Sequence, residues 1–221
     1  MNRRILILAF LFISASGYSQ ADTTYLFKIY TSPLQLIDIA SRQMATLGCE
    51  YTLSPKIALS AELGYKIVNL RKDIPETINP KGYSCRLEMK IYGPYQIRQP
   101  KDIQDYLSIE CKYIRDDINR DVFYLTGLDT EIEDYFGVKK NIYIGNLKYG
   151  FICPLYRRSY FDVYYGLGIR YRDIKNIDRE YDEDLGHENT DNHGLFDLDD
   201  FSESSGLKFN FTMGFKLGVK F

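Results

Sequence analysis

The chain has 221 residues, 28 basic against 30 acidic side chains, a formal charge of −2 and a mean hydropathy of −0.30. Charge this evenly balanced gives no basic field for nucleic acid, and no segment after the first few residues has the roughly 18 apolar residues of a membrane helix. A membrane β-barrel survives both exclusions, because half of each of its strands faces inward and is free to be polar.

The first twenty residues, "MNRRILILAFLFISASGYSQ", place Arg3 and Arg4 before an apolar run from Ile5 to Ile13, followed by small residues. That run is too short for a spanning helix and reads as a signal peptide, residues 1–19, with cleavage after Ser19 at the Gly17-x-Ser19 site. Residues 20–221 then suit one domain. The whole chain's 20 tyrosines and 13 phenylalanines, with no tryptophan, favour strands.

A period of two recurs along this domain. "TYLFKIY" sets Tyr25, Phe27 and Ile29 against Lys28. "TLGCEYTL" sets Leu47, Cys49, Tyr51 and Leu53 against Thr46, Gly48, Glu50 and Thr52. Ser54–Lys56 holds a proline and predicts a tight turn. "IALSAELGYKI" resumes with Ile57, Leu59, Ala61, Leu63, Tyr65 and Ile67 opposite Ala58, Ser60, Glu62, Gly64 and Lys66.

After a polar loop, Asn69–Gly82, "YSCRLEMKI" sets Tyr83, Cys85, Leu87, Met89 and Ile91 against Ser84, Arg86, Glu88 and Lys90. "YLSIECKYI" then sets Leu107, Ile109, Cys111 and Tyr113 against Ser108, Glu110 and Lys112. Arg115–Lys140 reads as a long connection, with "DVFYLTG" extending the hairpin. "NIYIGNLKYGFI" alternates least cleanly. A turn near Arg157 precedes "FDVYYGLGIRY", with Phe161, Val163, Tyr165, Leu167, Ile169 and Tyr171 opposite Asp162, Tyr164, Gly166, Gly168 and Arg170.

An acidic loop, Arg172–Ser205, leads to "LKFNFTMGFKLGVKF", whose apolar residues from Leu207 to Phe221 alternate without a miss. A strand of fifteen residues exceeds the usual five or six and is long enough for a tilted bilayer crossing. The expectation is an all-β, antiparallel up-and-down barrel of eight strands, or of ten if "DVFYLTG" crosses separately. Short turns would lie on the periplasmic side and long loops outside.

"LGCEYTLSPKIALSAELGYKI", "YYGLGIRY" and "GFKLGVKF", together with the leader, resemble a small outer-membrane β-barrel of the OmpX/OmpA-transmembrane type. Within that type the chain is most similar to a Gram-negative barrel family of unknown function. The resemblance implies outer-membrane localisation, surrounding lipid as partner, a monomer, and recognition of the last strand and Phe221 by the barrel-insertion machinery.

The candidate interior holds Glu50, Glu62, Glu88, Glu110 and Asp162 with Lys66, Arg86, Lys90, Lys112, Lys148, Arg170, Lys208, Lys216 and Lys220. In a narrow barrel such charges must pair or be hydrated. A salt-bridge network is the favoured reading over an ion path or paired-carboxylate active site. The two histidines, His187 and His193, both fall in the acidic loop and none on a strand, so no catalytic residue is assigned.

Asp182, Glu183, Asp184, Asp197, Asp199 and Asp200 offer hard-cation ligands without an EF-hand spacing, and a solvated loop open to an extracellular partner is preferred to a metal site. Cys49, Cys85 and Cys111 lie on apolar phases and Cys153 near a turn, which predicts free thiols. No cofactor is expected. The expected role is non-enzymatic, in surface structure, adhesion or envelope integrity. The alternatives are an outer-membrane enzyme acting on lipid or peptide and a soluble lipocalin-like binder.

Overall fold

A computed structural model of the chain describes residues 26–34, 44–66, 77–93, 103–126, 131–179, 186–188 and 204–221. The leader therefore lies outside the described residues, as do His193 and the acidic positions Asp182, Glu183, Asp184, Asp197, Asp199 and Asp200.

Alternating sequence produces strands almost throughout. They are β1 (Phe27–Thr31), β2 (Ala45–Ser54), β3 (Ile57–Tyr65), β4 (Thr77–Tyr92), β5 (Gln104–Thr126), β6 (Glu131–Tyr156), β7 (Ser159–Ile177), the short β8 (Gly186–Glu188) and β9 (Ser204–Lys220). Eight of them close a ring of antiparallel neighbours in the order β1-β2-β3-β4-β5-β6-β7-β9, with β9 returning to β1. β8 stands outside the ring and pairs with the tip of β5.

The register fixes the shape. Val219 pairs with Ile29, and successive partners are Cys49, Ala61, Leu87, Cys111, Gly145, Ile169 and finally Phe209, ten residues from the start. With ordinary strand spacing and rise, a stagger of ten in eight strands tilts them about 40° from the axis and gives a backbone diameter of about 16 Å.

Both ends of the ring, at Phe27 and Phe221, sit at the same pole as the turns after Ser54 and Tyr156. The strand ends at Thr31, Ala45, Tyr65, Thr77, Thr126, Glu131, Ile177 and Ser204 lie at the opposite pole. Pro154, which has no N–H to give the ladder, stands at a bulge beside the second turn.

The structure corrects three boundaries. Within Arg115–Lys140, expected as a long connection, residues 115–126 and 131–140 are strand: β5 and β6 pair continuously out to Leu125 and Glu131. Asp121–Thr126 of "DVFYLTG" belong to β5 and extend the hairpin as expected, so the ring has eight strands and the ten-strand alternative falls. β4 takes in residues 77–82, and β7 takes in Arg172–Ile177, both expected as loop. Paired backbone needs no apolar outer face, so the ladder runs on where the outward residues become Arg115, Asp117 and Asn119.

The barrel is inside out relative to a water-soluble protein. Leu47, Leu63, Leu87, Ile109, Leu147, Leu167, Phe209 and Met213 are more than half exposed on its outer face. The inner face carries the buried charges. The four thiols are free, with Cys49 and Cys111 exposed on the apolar belt. A row of tyrosines bounds that belt toward the loop pole. Tyr65 pairs with Tyr83, and ring contacts then run Tyr83–Tyr113–Tyr143–Tyr171 at 5.0–6.4 Å between centroids.

Inside, tyrosines are fitted over glycines. Tyr30 pairs across strands with Gly48, Tyr106 with Gly150, Tyr160 with Gly218 and Tyr164 with Gly214. At each of these glycines a Cβ would fall within 3.0 Å of the partner tyrosine. The missing side chain is the space the ring occupies, as in aromatic rescue of a strand glycine.

Two glycines of β6 separate this packing role from strand propensity. Gly150→Ala drives a methyl group into Tyr106 and should destabilise the barrel by about 1–3 kcal/mol. Gly145→Ala, where nothing lies within 4 Å, should be neutral or mildly stabilising. Urea unfolding of the two variants from lipid vesicles gives the comparison, and an equal loss at both sites would refute the tyrosine–glycine account.

Candidate functional site

The densest chemistry lies on the inner face, where every ring strand contributes a charge. Lys28 comes from β1, Glu50 from β2, Glu62 from β3, and Arg86, Glu88 and Lys90 from β4. Glu110 comes from β5, Lys148 from β6, Asp162 from β7 and Lys216 from β9. Period two carries them all inward, and each is at most 5% exposed. Five carboxylates face five cations.

They form two connected runs. Nearer the turn pole, Lys28 lies 2.5 Å from Glu50, and Lys90 lies 2.8 Å from Glu50 and 2.7 Å from Asp162. Above it, Lys216 lies 2.5 Å from Glu88. Lys148 lies 2.6 Å from both Glu88 and Glu110. Arg86 spans Glu110 and Glu62 at 3.3 Å each.

The remaining lone pairs are taken up by hydroxyls and an amide. Ser32 donates to Glu62 at 2.7 Å, Ser108 to Glu88 at 2.7 Å, Asn146 to Glu110 at 2.8 Å and Tyr106 to Asp162 at 2.6 Å. Tyr92 donates to Glu50. Ring faces cover the ammonium groups: Lys90 stands 4.3 Å from the Tyr106 centroid, Lys148 4.4 Å from Tyr164 and Lys216 4.6 Å from Tyr30. Such contacts are worth most when the cation is desolvated.

One contact shows what the network must solve. Glu88 and Glu110 are direct cross-strand partners, an arrangement that is unfavourable for like charges. Lys148, reaching from the next strand, binds both.

The sequence-predicted interior set is largely brought together. Glu50, Glu62, Glu88, Glu110, Asp162, Arg86, Lys90, Lys148 and Lys216 are all in the network. Lys66, Lys112, Arg170 and Lys220 are only partly buried and Lys208 is exposed. Sequence reasoning missed Lys28 as a network member, and also the inward tyrosines Tyr30, Tyr92, Tyr106 and Tyr160. Their signal was parity: Tyr30 shares a face with Lys28, Tyr92 with Lys90, Tyr106 with Ser108 and Tyr160 with Asp162.

In this arrangement every carboxylate is held by at least one cation. The serine hydroxyls that meet Glu62 and Glu88 do so without an intervening histidine, and both carboxylates are bound by cations. Among the described residues no three His, Cys, Asp or Glu side chains converge as metal ligands. His187 lies on β8, at the tip of β5 and away from the network. Comparison with known proteins finds no matching family model, no similar curated protein and no similar solved structure.

Removing one member of a buried pair leaves an uncompensated charge, which costs about 3–5 kcal/mol. Lys148→Met should show a loss of that size, because it also exposes Glu88 to Glu110. Adding Glu110→Gln to Lys148→Met should restore part of the stability. A double-mutant cycle in urea measures the coupling, and additive losses would mean that Lys148 does not bridge the pair.

Proposed function

We propose that the mature chain is a non-enzymatic outer-membrane barrel with a filled polar interior, serving cell-surface structure, adhesion or envelope integrity. The observation that carries this reading is the facing: apolar side chains outward, paired charges inward. In water the exposed belt forfeits about 25 cal/mol for each Å² of apolar surface left unburied, whereas hydrocarbon is its natural solvent.

Dimensions support the same reading. On β7, Tyr171 of the upper tyrosine row and Phe161 lie ten residues apart, about 25 Å along the axis at a 40° tilt, which matches the apolar band of outer-membrane barrels. Just past that row the outward residues turn polar, with Arg115 after Tyr113, Asn141 before Tyr143 and Asp173 after Tyr171. Tyrosine at such a boundary presents an apolar body and a polar tip. The turn pole with both ring ends would face the periplasm, and the β5–β6 hairpin would stand outside the cell.

The resemblance to OmpX/OmpA-type barrels, the leader and the alternating strand ending in Phe221 agree with this assignment and with assembly by the barrel-insertion machinery. A lipocalin-like binder would need an apolar cavity, and here the interior is occupied by ion pairs and tyrosines.

Fractionation tests the location: the protein should accompany the outer membrane and show heat-modifiable gel mobility, and its recovery from soluble periplasm would refute the assignment. In planar bilayers the purified barrel should give no large, stable porin-like conductance.

Facing is tested by charge insertion. Leu167 and Phe211 are cross-strand partners near the middle of the belt. Arginine at either should cost about 2–4 kcal/mol in unfolding from vesicles. Thr212→Arg, directed inward, should cost less if Glu110 or another acidic neighbour accepts it, and the reverse ranking would overturn the facing.

A further inference from the structure

Toward the loop pole the inner face still buries Asp116, Asp134, Lys140 and Arg172, each with a partner, but one pair of cations stands apart from them. Arg170 on β7 and Lys208 on β9 are direct cross-strand partners on the inner face. Arg172 follows two residues on, on the same face. The positions flanking Arg170 in the sheet are Gly168 and Arg172 on β7, Ile142, Ile144 and Asn146 on β6, and Gly206, Lys208 and Asn210 on β9. None is a carboxylate. Among the described residues neither Arg170 nor Lys208 makes an ion pair, and the Arg170 Nε is buried without a hydrogen-bond partner.

Around this pair the inner face is only partly covered. Below it, Asn210 Nδ2 donates to Asn146 Oδ1 at 2.8 Å, and Asn146 in turn donates to Glu110, which closes off the paired network. Above it, Gly206 has nothing within 4 Å of where a Cβ would stand. Lys208 is exposed and Arg170 half-buried, so solvent reaches this level of the inner face.

We propose that Arg170 and Lys208 form an oxyanion-binding site at the loop-side mouth of the barrel, for a soluble phosphate or sulfate monoester. A guanidinium fork supplies paired N–H donors to such a group, and a neighbouring ammonium adds a point charge. Like charges placed directly opposite across strands repel, so the pair costs stability until an anion lies between them. Because the site faces inward, away from the apolar belt, a soluble ester fits it better than a lipid headgroup. The inference does not depend on the cellular role.

The test uses the full mature chain refolded in zwitterionic detergent, with inorganic phosphate and sulfate as probes against chloride at equal ionic strength. Calorimetry should detect phosphate binding to the wild type, and phosphate should raise its urea midpoint more than chloride does. Arg170→Gln should weaken binding about tenfold or more, the loss of roughly one charge-assisted bidentate contact. Lys208→Gln should raise the midpoint in chloride while reducing the phosphate response. Lys139→Gln, on the outer face, should leave binding unchanged.

Heat-modifiable mobility identifies folded variants, and Lys208→Gln, at an exposed position, keeps the test available if Arg170→Gln does not fold. Equal effects of phosphate and chloride on the wild type would overturn the proposal, as would an unchanged response in both variants. Binding seen only to nanodiscs containing phosphatidylglycerol, and not to free phosphate, would also overturn it.

Discussion

The structure depends on burying charge in pairs. A ring of eight strands with apolar residues outward has to put its polar residues inward, and an interior about 16 Å across between backbones leaves them little water. Ten charged groups then persist only because each lies within bonding distance of an opposite charge. Such networks add little net stability over an apolar core but make wrong arrangements expensive. A slip of one residue would turn Leu87 and Met89 inward with no partner for Glu88. A slip of two between β4 and β5 would keep the facing but move Arg86 and Lys90 away from their acceptors. β4, with Arg86, Glu88 and Lys90 in succession on one face, is the strand against which the others are registered.

Volume is the second constraint, and tyrosine meets it. Buried tyrosines occupy the space beside the ion pairs and cover the cations with their ring faces. Rings of this size fit only where the facing strand recedes, hence the cross-strand glycines Gly48, Gly150, Gly214 and Gly218. Tyrosine therefore has two roles in one chain. Outside, Tyr113, Tyr143 and Tyr171 bound the apolar belt; inside, Tyr30, Tyr106, Tyr160 and Tyr164 pack the core.

That double role explains what the sequence made legible. Facing was readable wherever charge and hydrophobicity alternated, as from Leu207 to Phe221 or across Arg86, Glu88 and Lys90, because a period of two allows only one division of a strand. Tyrosine is compatible with either face, so Tyr30, Tyr92, Tyr106 and Tyr160 carried no facing of their own and could be assigned only by counting from a neighbouring charge. Pairing was less legible still. Lys90 meets Asp162 across the barrel from a strand that is not its neighbour, and such a contact follows from the ten-residue stagger rather than from either strand alone. The β5–β6 extension was legible only at its tip, where "DVFYLTG" lengthens the hairpin as expected; the stretch before it was not, for a different reason. Past Tyr113 the outward residues are polar, and polar alternation bounded by Asp and Asn resembles a loop although the ladder continues.

The inner and outer faces change character at one level, which separates what the fold requires from what it does not. Through the belt, inner charges are buried and balanced. At Tyr171 the outer face becomes polar, and the adjacent inner residue is Arg170, opposite Lys208, with no acid on any flanking position. Water reaches Lys208 at this level, whereas the Arg170 Nε is buried without a partner. Nothing in the closure of the ring requires them: Asn or Thr, as at Asn210 and Thr212 on the same face, would satisfy the strand without repulsion. The paired charges below are explained by burial alone. The cation pair at the mouth is explained by an anion.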